Sequence, residues 1–199
     1  MAEEQSAEWP HFRLVTYSAP TGIPHGWDAE LLDKGAPDGL VCTAARELIL
    51  FDHPNAGPLV CFGTSGPHHY FCLDPRTSQV VHISYGAFRI GDPQPSFVGR
   101  AWPVNSSLDH FIASIRAVTE RFPFDSEVTG RDRRGEEDEE SRDDRLFNEW
   151  EQAVLELGEI LDRIDPANPI QGGVFWGDFL ADVGMGNYAS ESWLHQPDC

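Results

Sequence analysis

The stretch PLVCFGTSGPHHYFCLDPRTSQVVHI, residues 58–83, decides the fold class. It contains the apolar runs PLVCFG (58–63), HYFCLD (69–74) and, continued by one residue, QVVHIS (79–84), all rich in β-branched and aromatic side chains. Short runs of this composition, bounded by Gly, Pro, Asp and Ser, are strand signals. The links GTSGPH and DPRTS are only turn-length. A parallel crossover needs a dozen residues or more, so the neighbouring strands are expected to be antiparallel. With LILF (48–51) ahead of them, residues 39–104 read as a β meander.

Helices are expected on both sides of this block. Upstream, Asp28 is a candidate cap for a short helix that Gly35 and Pro37 stop. Residues 1–27, with Pro10, Pro20, Gly22, Pro24 and Gly26, read as an extended lead-in that packs through Phe12, Leu14, Val15 and Tyr17. Downstream, NSSLDHFIASIRAVTERFP repeats Leu108, Phe111, Ile112, Ile115 and Val118 at three and four. Ser106 and Asp109 stand there at capping-box spacing, with Asp in place of the usual Glu. A second long helix is expected over 146–165, its stripe formed by Phe147, Trp150, Val154, Leu157, Leu161 and Ile164, with Pro166 as its end. A closing helix over 176–183 is expected, with Phe175, Trp176, Phe179, Leu180 and Val183 facing inward and Gly184 or Gly186 as terminator. Between the two long helices, RDRRGEEDEESRDDR (131–145) holds eight acids and five bases and reads as a charged, mobile loop.

These elements define an α+β class, an antiparallel meander flanked by helices, in one domain over 28–199 behind the lead-in. The chain has 199 residues, of which 33 are Asp or Glu and 14 Lys or Arg, for a net charge of −19. A field of that sign repels phosphate, which argues against nucleic acid and against an anionic membrane surface as partners. The loop at 131–145 contributes −3 and the first ten residues another −3, so −13 belongs to the remainder of the chain. The amino terminus MAEEQSAEWPHF has neither a basic n-region nor an apolar h-region, and no apolar run approaches membrane-spanning length. A soluble, cytoplasmic protein with reduced thiols at Cys42, Cys61, Cys72 and Cys199 is expected.

Catalytic and metal chemistry find weak footing. Cys61, Cys72 and His82 would make a zinc site only if the hairpin register brought them together, and their spacing matches no knuckle or finger. As small core hydrophobes and ordinary histidines they need no ion. Cys42 has no particular His to activate it, and Ser65 lies in GTSGP, with Pro67 where a nucleophile elbow requires Gly. No Gly-x-Gly-x-x-Gly or Walker loop occurs. EEDEE (136–140) lacks the alternation of a calcium loop, and Trp150, Phe175, Trp176 and Phe179 at helical spacing read as core. The expected site has no catalytic residue, no cofactor and no metal.

Four segments in order then carry a resemblance: ELLDKGAPDGL (30–40), PLVCFGTSGPHHYFCLDPRTSQVVHI (58–83), PVNSSLDHFIASI (103–115) and VFWGDFLADVGMG (174–186). Together they resemble the SUKH superfamily of bacterial immunity proteins, and Asn105-Ser106-Ser107-Leu108 through Phe111 is most similar to its fourth family. The turn at Asp74-Pro75 and the closing Trp176 belong to the same pattern. Ala36 and Ser78 depart from it, since Leu and a turn Gly are usual there. The resemblance implies an α+β binding protein, without catalytic residues, that neutralises a cognate polymorphic or contact-dependent toxin, possible nuclease types included. It treats Asn105 and Ser106 as structural.

A toxin with a basic surface is the partner this implies, because an acidic body is drawn to it by the long-range field. The contact residues expected are His68 in the hairpin turn and the loop from Tyr85 to Arg89, with Glu136, Glu137, Asp138, Glu139 and Glu140 as a steering arm. The competing readings are an intracellular adaptor of the same fold and a small metal-dependent enzyme built on Cys61, Cys72 and His82. The oligomeric state stays open at the level of sequence.

Overall fold

The computed structural model describes residues 9–84, 101–126, 139–170 and 174–190. In chain order these form β1 (Arg13–Val15), α1 (Ala29–Lys34), β2 (Ala36–Asp38), β3 (Thr43–His53), β4 (Gly57–Thr64), β5 (His69–Leu73), β6 (Val80–Ser84), β7 (Trp102–Asn105), α2 (Leu108–Arg121), α3 (Glu139–Ile164) and α4 (Val174–Gly184). The five strands β3 to β7 make one antiparallel sheet in sequential order, a meander, and β1 pairs with β2 in a small second sheet. The architecture is therefore the α+β single domain that the hairpin spacing implies.

Register explains why the strands read as nearly continuous apolar runs. Val60 pairs with Leu73 and Leu73 with Val80, and all three point into the main core with Phe62, Phe71 and Val104. The alternate residues Leu59, Cys61, Cys72, Val81 and Ile83 are also buried, in a second cluster on the opposite face. A sheet buried on both faces cannot show the apolar-polar alternation of a half-exposed one. The main core is closed by Leu108, Phe111, Ile115 and Val118 of α2, Leu157 and Leu161 of α3, and Trp176, Phe179, Leu180 and Val183 of α4.

Several local expectations shift. Asp28 precedes α1 but makes no side-chain cap, because its φ of −106° and ψ of 3° do not aim the carboxylate at the first turn. Gly35 does end α1, its amide donating to the Leu31 carbonyl at 2.9 Å. The cap of α2 is Ser107, in extended conformation and accepting from the His110 amide at 3.2 Å, while Ser106 is engaged elsewhere. Asp109 faces outward and pairs with Lys34 at 2.7 Å. The charged stretch is divided: 131–138 lie outside the described residues, whereas Glu139 to Arg145 form the first turns of α3. Arg145 meets Glu149 one turn on, at 3.2 Å, a helical spacing that a search for apolar periodicity does not register. Phe147, assigned above to the buried stripe, is 58% exposed, and Leu146 is buried instead.

Aromatic and polar contacts tie the lead-in to the body, Trp9 packing on Phe122 and Phe12 lying beneath the Arg116 guanidinium. Arg13 Nε donates to Asp38 Oδ2 at 2.6 Å across β1 and β2, and Asp38 Oδ1 accepts from the Ala44 amide at 2.9 Å. Tyr17 brings its hydroxyl within 2.9 Å of the Ala45 carbonyl oxygen and 3.1 Å of that of Phe62. Among the described residues no helix is long and apolar enough to cross a membrane.

Candidate functional site

The Asp74-Pro75 turn is held from within. Asp74 Oδ1 accepts from the amide and the Nε of Arg76, both at 2.9 Å, and Oδ2 accepts from Arg76 Nη2 at 2.9 Å. Burial alone would raise the Asp74 carboxyl pKa, but the Arg76 bonds and charge hold it below the usual carboxylate range. Arg76 Nη2 also donates to the Ala56 carbonyl, joining the β5–β6 turn to the β3–β4 turn. Ser78, where the family turn carries Gly, has φ of +58°, and its hydroxyl donates to Glu30 Oε1 at 3.1 Å.

Asn105 and Ser106 form the best-connected polar group in the interior. Asp165, at the end of α3, accepts from the Ser106 amide at 2.6 Å, the Ser106 hydroxyl at 2.7 Å and Asn105 Nδ2 at 3.2 Å. Asn105 Oδ1 accepts from Trp176 Nε1 at 3.1 Å, and Asn168 Nδ2 donates to the Val104 carbonyl at 2.7 Å. One side-chain cluster thus ties β7, α2, α3 and α4 together. Burial pushes the Asp165 carboxyl up, but the Ser106 and Asn105 bonds and the His110 ring outweigh it and hold the pKa low.

Ser106, His110 and Asp165 superficially form a nucleophile triad. His110 Nδ1 lies 2.8 Å from Ser106 Oγ and 3.3 Å from Asp165 Oδ1, while the Ser106 hydroxyl already donates to that carboxylate. A relay needs the imidazole between serine and acid, one nitrogen to each. Here one nitrogen faces both, so the arrangement is architectural.

The register also separates the suspected zinc ligands. Cys61 pairs with Cys72 and both lie in the cluster on one face of the sheet. His82 pairs with Phe71, whose side chain lies in the main core on the other face, and the two rings are 5.5 Å apart. The pleat thus prevents His82 and the two sulfurs from sharing an ion, and no group of metal-holding side chains occurs among the described residues. Burial pushes the Cys72 and Cys42 thiols well up, opposite to what a nucleophile requires.

The expected contact residues fall in different places. His68 is exposed in the β4–β5 turn, and Glu139 and Glu140 are exposed in the first turn of α3. Tyr85, Arg89, Glu136, Glu137 and Asp138 lie outside the described residues. Next to His68, His69 stacks on His82 with ring centroids 5.2 Å apart and planes within 5°. His82 in turn meets Phe175 of α4 at 5.3 Å, and Ser65 Oγ stands 3.4 Å from its Nε2. Burial, then the neighbouring His69, pushes the His82 pKa down to about 4. These rings line a cleft of about 310 Å³ whose far wall is α4, with Asp178 and Asp182, and Tyr188 just beyond it. Sequence reasoning missed this cleft. Its only signal was Asp178, a carboxylate between the buried Trp176 and Phe179.

The other conspicuous surface is α3. It carries nine acids and three arginines, a net −6, and seven of those acids are exposed: Glu139, Glu140, Asp143, Asp144, Glu151, Glu156 and Glu159. The remaining two serve the fold, Glu149 accepting from Ser126 at 2.8 Å and Asp162 from the Ile170 amide at 2.8 Å. Exposed Phe147 and Leu155 stand among the carboxylates. Beside α3 runs a groove of about 880 Å³, lined among others by Arg121, Phe124, Arg145 and Gln152.

No curated protein and no solved structure matches the chain. A protein-family model does match, over residues 9–182, a span that holds the Asp74 turn, the Asn105–Asp165–Trp176 cluster and α3. The chain belongs to the SUKH-4 immunity protein family.

Proposed function

We propose that the protein protects its cell by binding a cognate toxin stoichiometrically, an acidic binder working without turnover against a basic toxin surface. The observation that carries this reading is the union of family membership with an acidic folded body, since α3 alone holds −6 of the −19. A basic cleft is what enzymes acting on nucleic acid or nucleotides present, so a nuclease-type toxin met in the cytoplasm suits the charge. The contact surface proposed is the hairpin end around His68 with the Tyr85–Arg89 segment, and Glu136, Glu137, Asp138, Glu139 and Glu140 steer the approach. Steering of this kind accelerates encounter more than it tightens the final complex.

The deciding experiment is co-expression with the toxin domain encoded beside the gene. Rescue of growth together with co-purification of a stoichiometric complex is the expected result. Failure both to protect and to bind overturns the toxin reading in favour of an adaptor for an endogenous partner.

A further inference from the structure

The cleft between the β4–β5 hairpin and α4 has a composition that selects its occupant. One side of it is aromatic: His69 and His82 are stacked in parallel, and Phe175 packs against His82. Its rim is acidic, because Asp178 and Asp182 stand one helical turn apart on α4 and both line it. Asp182 accepts from Asn187 Nδ2 through Oδ1 at 2.9 Å, and Asp178 is exposed. Among the described residues no lysine or arginine lines the cleft. His82, pushed down to about 4 by burial and by His69, is uncharged at neutral pH and so adds no positive charge.

A cleft lined by two carboxylates and by stacked π-faces matches a planar cation. A guanidinium can pair with carboxylates through parallel N–H bonds and lie against an aromatic face at once, and an ammonium does the first less well. About 310 Å³ is at the small end for a ligand pocket and suits one side chain better than a nucleotide. Arginine is also among the residues that most often anchor protein interfaces.

We propose that this cleft is the socket for an arginine side chain of the partner toxin, its guanidinium paired with Asp178 and Asp182 over the His69–His82 stack. The toxin as source rests on the function proposed above; the guanidinium chemistry does not. Asp178 and Asp182 are the specificity-determining residues, and His69 holds the hairpin side of the socket.

The test has two arms. In the first, Nα-acetyl-arginine amide is titrated to about 50 mM at neutral pH and low salt while the imidazole NMR signals of His69 and His82 are followed. A saturable shift is expected, weaker with the lysine analogue, absent with the norleucine analogue, and abolished in Asp178→Asn/Asp182→Asn. No saturable shift with the arginine amide overturns the socket. In the second arm, the same double variant is expected to lose about tenfold or more in toxin affinity at unchanged Tm. Wild-type affinity in that variant overturns the socket and leaves toxin binding intact. Saturable arginine binding by a chain that binds no toxin upholds the socket and overturns the function proposed above.

Discussion

The carboxylate of Asp165 lies 2.6 Å from the backbone amide of Ser106, 59 residues earlier in the chain. That bond, with the Ser106 hydroxyl and Asn105 Nδ2 on the same carboxylate, makes the Asn-Ser pair a junction for three helices and the last strand. Asp165→Asn removes the charge and turns one acceptor into a donor facing other donors. Loss of about 3 kcal/mol is expected by urea denaturation, with Ser106→Ala costing nearer 1 kcal/mol because its amide bond survives. A change below about 0.5 kcal/mol in Asp165→Asn would falsify the latch.

His82 sets an acid limit of its own. Its pKa falls from 6.5 when unfolded to about 4 when folded, so between those values the unfolded chain binds the extra proton. The contribution is complete above pH 6.5 and is lost as pH drops from 6.5 toward about 4. After allowance for solvent at the ring, about 1–2 kcal/mol is at stake. Asp74 and Asp165, held below the ordinary carboxylate pKa of 3.8, act in the same direction at lower pH. His82→Gln should flatten the stability profile across the upper window only, and an unchanged slope there would sink the assignment.

Ser78 occupies a left-handed backbone position at φ +58° that costs a residue with a Cβ about 1–2 kcal/mol. Ser78→Gly relieves that cost but loses the bond to Glu30 and loosens the unfolded chain. A net gain of about 0.5 kcal/mol is expected, seen as a rise of about 1–2 °C in Tm. A fall in Tm would mean that the Glu30 contact outweighs the backbone strain.

The acidic face of α3 is expected to act on rates. Glu139→Gln, Glu140→Gln, Glu151→Gln and Glu159→Gln together should slow association with a basic toxin about three- to tenfold at low salt. Dissociation should hardly change, and the difference should fade as salt is raised. Stopped-flow traces at two ionic strengths check this, and equal on-rates for variant and wild type would refute steering by this helix.

The meander was legible because its turns announce themselves: Gly66-Pro67 and Asp74-Pro75 bound runs too apolar to be anything but buried strands. β1 and β2 were not, since each has three residues and β2 contains Pro37. The early turns of α3 hid behind charge, their helical spacing being carried by Arg145 and Glu149 in place of apolar residues. The cap slipped from Ser106 to Ser107 because Asp165, far along the chain, claims the first serine. The cleft was invisible for the same reason: His69, His82 and Asp178 share no local period, and only the packing of α4 across the sheet unites them.

The order of strands in the sheet is also their order of synthesis, so residues 43–105 can pair one after another as they leave the ribosome. Asp165 emerges 60 residues after Asn105, an interval of about 3–12 s at ordinary elongation rates. Until then Asn105 and Ser106 have only nearby partners such as Ser114 and His110, and Trp176 arrives later still. The α4 wall of the histidine cleft is thus made after every strand of the sheet it faces, and a nascent chain acquires its grip only once α4 has joined them.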